Sequence, residues 1–117
     1  MSDSLWGYQP SSGHTAGIDL SGYSVEATDG SIGKVDKHND EAGSAYLLVD
    51  TGVWIFGKDV LLPAGTVRLI DAEARKVYVD LTKEQVKDSP EFDRHQQTED
   101  PGYHAQLSAY YMAFRVM

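Results

Sequence analysis

Between residues 22 and 81 every apolar run is cut off by a turn signal before it could build a long helix. Val25 and Ala27 alternate with Ser24 and Glu26, and Asp29-Gly30 supplies residue types that tolerate the positive φ of a hairpin turn. A second run covers 32–38 and a polar stretch covers 39–44. Residues 46–49 are continuously apolar, as expected of a strand buried on both faces or set in a barrel wall. Residues 60–62 form another short run, closed by Pro63-Ala64-Gly65, and 66–70 follow. After a polar turn at 71–75, Val77, Val79 and Leu81 alternate with Lys76, Tyr78 and Asp80. About six short strands at this spacing cannot bury both faces as a flat sheet, and a small closed or partly open barrel also removes exposed edges. The expected fold is all-β with a C-terminal helix.

The flanks read differently. Residues 1–17 are rich in Ser and Gly, carry Pro10, and read as an extended arm with Trp6 and Tyr8 as its anchors. Thr82 and Gln85 form a capping-box pair, Leu81 and Val86 sit at the positions of a hydrophobic staple, and Pro90 ends the short helix. A second helix has Asp100 as cap, Pro101 in its first turn and Arg115 near its negative end. At about 100° per residue, Tyr103, Leu107, Tyr110 and Phe114 share one face. Ala105, Ala109, Met112 and Val116 share the opposite face, with His104 and Ser108 in the strip between. A helix lying on a barrel needs one apolar face, so the second asks for a second body: the N-terminal arm or another subunit. The expected division is an arm at 1–17, a barrel at 18–81 and a helical extension packed on it at 82–117.

At 117 residues the chain is of single-domain size, and without cysteine it has neither disulfides nor thiolate metal ligands. Ten basic and 18 acidic side chains give a net charge of −8, spread along the sequence. That field repels phosphate backbones and argues against direct nucleic-acid binding; it favours solubility and suits a basic protein partner. No stretch approaches a membrane span, and residues 1–12 lack the basic start and apolar run of a signal peptide. The expectation is a cytoplasmic protein with no membrane partner.

Gly22-Tyr23-Ser24-Val25 followed by Asp29-Gly30-Ser31-Ile32-Gly33-Lys34-Val35 resembles the opening of the PRC-barrel family. The likeness continues through residues 46–50, Val60-Leu61-Leu62-Pro63, Ile70-Asp71 and Lys76-Val77-Tyr78-Val79. Residues 82–92 are similar to the tail of stand-alone members, and the aromatic arm and final helix to short actinobacterial-type ones. The ordered set over residues 18–93, rather than any one motif, carries the resemblance. It implies a small β-barrel used as an adaptor, as in the H subunit of photosynthetic reaction centres and at the C-terminus of a ribosome maturation factor. The family brings no shared catalytic residues, and no cofactor is expected for this chain. This chain shows neither the membrane helix of the former nor the N-terminal domain of the latter, so only the role of binding module transfers.

Asp50-Thr51-Gly52 after an apolar run is how aspartic peptidases present a catalytic carboxylate. One copy would need a symmetric dimer in which two carboxylates share a proton. No glycine-rich flap and no later apolar-apolar-glycine strand accompany it, and a strand end entering a turn uses the same residues. Asp93, His95, Glu99, Asp100 and His104 lie close in sequence but match no zinc signature, so solvated histidines and no metal are expected. Phosphate loops, dinucleotide fingerprints, G-x-S-x-G and H-E-x-x-H motifs are lacking. Trp54-Ile55-Phe56 stands between two strands, where three bulky apolar residues form either a partner patch or a lid over the barrel end. The function expected is a non-enzymatic, self-associating adaptor for a protein partner, with Trp54, Ile55, Phe56, Ala105, Ala109, Met112 and Val116 as its contact residues. The alternative is a dimeric aspartic peptidase using Asp50.

Overall fold

The Asp29-Gly30 turn joins β1 (Ser24–Ala27) to β2 (Gly30–Asn39) as an antiparallel hairpin. The computed structural model describes residues 5–8, 12–15, 17–39, 45–52, 59–89 and 101–113. Its strands continue as β3 (Tyr46–Asp50), β4 (Asp59–Pro63), β5 (Val67–Asp71) and β6 (Lys76–Val79). They form one six-stranded sheet in the order β4-β3-β2-β1-β6-β5, antiparallel except where β1 meets β6. Tyr46, Leu47, Leu48 and Val49 are all buried, which is the both-face burial their unbroken apolar run implies. Val77, Val79 and Leu81 are buried and Asp80 is exposed, as their alternation requires.

The mostly β architecture with a C-terminal helix is as expected, but the sheet is not a closed barrel: β4 and β5 are its two edges. It is nevertheless rolled. Laid flat, the outer strands of six would stand about 24 Å apart. Only the single 3-10 turn Ala64–Thr66 joins β4 to β5, and the chain from Pro63 to Val67 reaches about 14 Å at most. The edges must therefore curl toward each other at that corner, and the near-equal extents of 31 × 29 × 27 Å agree. Bulges between Val25 and Glu26, Val35 and Lys37, and Val67 and Leu69 supply the extra twist. The last of these turns Leu69 outward, so that it is 40% exposed.

The arm meets the corner. Leu5 is buried, and its carbonyl accepts the Gly65 N–H at 2.6 Å. The Trp6 carbonyl accepts the Ala45 N–H at 2.9 Å, while the Ala45 carbonyl accepts the Ala64 N–H at 3.0 Å. The start of β3, the turn after β4 and the arm are thus tied by backbone hydrogen bonds.

Helix α1 (Lys83–Lys87) starts on the capping box read from the sequence: Gln85 N–H donates to Thr82 Oγ1 at 3.1 Å and Thr82 N–H to Gln85 Oε1 at 2.9 Å. Asp29 of the hairpin turn adds a bond, accepting the Lys83 N–H at 2.8 Å. Helix α2 (Pro101–Met112) has Pro101 as its first residue. It buries Tyr103, Leu107 and Tyr111. The expected apolar face had Tyr110 in place of Tyr111. Tyr110 is instead half-buried at the rim, where its hydroxyl donates to the Gln85 carbonyl of α1 at 2.6 Å. That bond joins the two helices, so Tyr110→Phe should cost about 1 kcal/mol in urea unfolding. An unchanged midpoint would show that water replaces the hydroxyl without loss. Asp100, Phe114 and Arg115 lie outside the described residues.

Candidate functional site

A row of register partners crosses the whole sheet: Asp59 of β4, Asp50 of β3, Lys34 of β2, Ser24 of β1, Lys76 of β6 and Asp71 of β5. Partners directly opposite share a face, so this is a polar belt around the roll. Lys34 faces Asp50 and Lys76 faces Asp71 with favourable sign, whereas Asp50 and Asp59 are like charges.

Asp50 ends β3 at this belt, with its side chain exposed. Its Oδ1 accepts the Gly52 N–H at 2.9 Å, and Gly52 has φ 61°, so Asp50-Thr51-Gly52 is a side-chain-stabilised turn. An open depression of about 250 Å³ lies here, lined by Gly33, Lys34, Asp50, Thr51 and Gly52. Gly33 forms its floor. A Cβ on Gly33 would stand 2.1 Å from the Asp50 carbonyl oxygen and 2.9 Å from the Thr51 Cα. The backbone leaving β3 thus crosses directly over a glycine of β2. The geometry gives Asp50 a turn-forming role. A peptidase dyad would need a second Asp50 brought against this exposed carboxylate by another copy of the chain. The Asp50–Asp59 pair also fixes both ends of the connection that carries Trp54, Ile55 and Phe56, which lie outside the described residues.

Helix α2 presents the second candidate surface. Ala105, Ala109 and Met112 are exposed, Met112 by 47%, and Val116 lies outside the described residues. The arm docks on α2, but on the strip beside that face. The Trp6 ring stacks on His104 at 4.2 Å between centroids and 7° between planes, and Trp6 Nε1–H donates to Ser108 Oγ at 2.7 Å. Tyr46 of β3 meets the same imidazole edge-on at 5.9 Å. The arm is therefore a neighbour of the alanine face and not its cover.

Solvated histidines were the expectation; the described ones are engaged. His104 is held between Trp6 and Tyr46, His14 stacks on Tyr8 at 3.9 Å, and His38 Nε2 accepts the Leu20 N–H at 3.2 Å. Among the described residues no three His, Asp or Glu side chains gather as a metal site, and Asp93, His95, Glu99 and Asp100 lie outside them. No helix among the described residues is long and apolar enough to cross a membrane. Sequence reasoning missed Gly33, although a glycine inside a strand pattern signals a close backbone approach. It also missed the Trp6–His104 stack, because no local pattern pairs residues so far apart in the chain.

No family model matches the chain. A 48-residue stretch is 50% identical to part of an uncharacterized protein of Deinococcus radiodurans; it spans 40% of this chain and 16% of that one.

Proposed function

We propose that the chain is a non-enzymatic, PRC-barrel-like adaptor that self-associates and holds a protein partner. The observation that carries this reading is the outer face of α2: Ala105, Ala109 and Met112 are apolar and exposed on a helix whose other side is fully packed. Small residues on an exposed helix let a second helix approach closely, and Met adapts to what it meets. The rolled sheet, whose edges meet at the Ala64–Thr66 corner, supports a PRC-type barrel left open at one seam. The recurrence of a short stretch within a longer protein supports a module used in more than one setting. On this reading Trp54, Ile55, Phe56 and Val116 belong to the contact surfaces, the partner is basic to match the charge of −8, and the setting is the cytoplasm.

Light scattering or sedimentation tests it. The full chain should be a dimer, and Ala109→Glu, which puts a carboxylate in the middle of the exposed face, should leave a folded monomer. A full chain that is strictly monomeric at high concentration would overturn the self-association. The peptidase reading is separated by Asp50→Asn. Digestion of unfolded protein at acid pH by the wild type, abolished in that variant, would replace the adaptor reading.

A further inference from the structure

We propose that the segment joining the arm to the sheet is a proton-operated latch, in which His38 Nε2 holds the Leu20 amide when the imidazole is neutral and the Asp19 carboxylate when it is protonated. The two partners compete for one atom. Leu20 N–H donates to Nε2 at 3.2 Å, which requires a lone pair there. Asp19 Oδ1 stands 3.4 Å from the same Nε2, and that contact becomes a hydrogen bond only when Nε2 carries a proton. Both cannot be satisfied in one protonation state.

The setting favours a real exchange. Leu20 is wholly buried, so losing the acceptor leaves its amide without compensation from water. Asp19 is 80% exposed, with its Oδ1 already beside the ring and accepting the Ser21 N–H at 3.0 Å, and the ring is itself mostly covered. The Ser21 backbone N–H, the Ser21 hydroxyl and then His38 hold the Asp19 carboxyl below its ordinary range, so it is ionised wherever an imidazole titrates. Other titratable groups stand on the described elements around His38. Tyr23 lies on the same segment as Asp19, and Asp36 and Lys37 precede His38 on β2. Across the ladder His38 pairs with Leu47, with Tyr46 one step further on.

The segment turns at two glycines. Gly17 and Gly22 flank it, each with φ 85° and with open space where a Cβ would point. Beyond Gly17 lies the arm whose Trp6 stacks on α2.

Nuclear magnetic resonance of the intact protein tests the latch. At about pH 8 the His38 ring should be the Nδ1–H tautomer, read from its nitrogen and carbon shifts. As acidification protonates the ring, the Leu20 amide should shift together with the ring signals, and its exchange protection should fall about tenfold. His38→Gln keeps an acceptor that does not titrate, so the Leu20 amide should stay protected across the range. Asp19→Asn removes the acid-state partner and should move the midpoint to lower pH. An Nε2–H tautomer at about pH 8, or a Leu20 amide indifferent to the titration of the His38 ring, would overturn the proposal.

Discussion

Gly33→Ala should destabilise the fold by about 3 kcal/mol, a large effect for the addition of one methyl group. The new Cβ would sit 2.1 Å from the Asp50 carbonyl oxygen and 2.9 Å from both the Asp50 carbonyl carbon and the Thr51 Cα. These are backbone atoms, so no rotamer can make way. Either β2 shifts away from β3, breaking the Lys34–Asp50 and Val35–Val49 pairs, or the Asp50–Gly52 turn opens. Gly52→Ala is the control. At φ 61° it carries the left-handed penalty of about 1–2 kcal/mol, but nothing stands where its Cβ would go. Thermal and urea unfolding should therefore rank Gly33→Ala well below Gly52→Ala. If Gly33→Ala melts with the wild type, the close crossing of β3 over β2 is wrong, and with it the shape of the depression at Asp50.

Those parts of the fold that depend on near neighbours were legible in the sequence. The Asp29-Gly30 hairpin, the Thr82–Gln85 capping box with Val86 buried behind it, and the both-face burial of β3 each follow from a few adjacent residues. What was not legible depends on register summed over several strands. Three bulges decide how far the sheet curls and whether its edges pair, and alternation carries no count of them; Leu69 points outward for that reason. The helical wheel located the buried side of α2 but set it on Tyr110. Reaching the Gln85 carbonyl draws Tyr110 to the rim, and Tyr111 fills the interior against it, with the rings 5.0 Å apart at 81°. For the candidate sites, the exposed alanine face was visible from spacing alone. Gly33, the His38 contacts and the docking of Trp6 on His104 were not, because each joins segments distant in sequence.

The tyrosines of α2 make alkaline pH the second strong lever on stability. Burial raises the Tyr103 and Tyr111 phenols well above the ordinary value, since neither ring can expose a phenolate to water in the fold. In the unfolded chain both titrate near 10. Above that pH the unfolded state has lost protons that the native state keeps, so stability falls as pH rises; below it both states are protonated and the contribution is fully present. Each tyrosine adds a slope of at most about 1.4 kcal/mol per pH unit, the larger share coming from the more deeply enclosed Tyr111, and the two together remove a few kcal/mol between pH 10 and pH 12. That is a large part of the stability of a small domain. Urea midpoints should thus be flat to about pH 9.5 and then drop steeply, with tyrosinate absorbance from these two residues appearing with unfolding rather than before it. Tyr111→Phe isolates one contribution. The Tyr111 hydroxyl is buried without a hydrogen-bond partner, and the nearby Ser89 hydroxyl, which donates to the Val86 carbonyl at 2.8 Å, eases its ionisation in part. Removing the Tyr111 hydroxyl should leave stability at neutral pH within about 1 kcal/mol of wild type while cutting the alkaline slope by roughly half or more. Stability unchanged up to about pH 11.5, or full tyrosinate absorbance in a protein that still melts cooperatively, would mean that α2 is not seated on the sheet through Tyr103 and Tyr111.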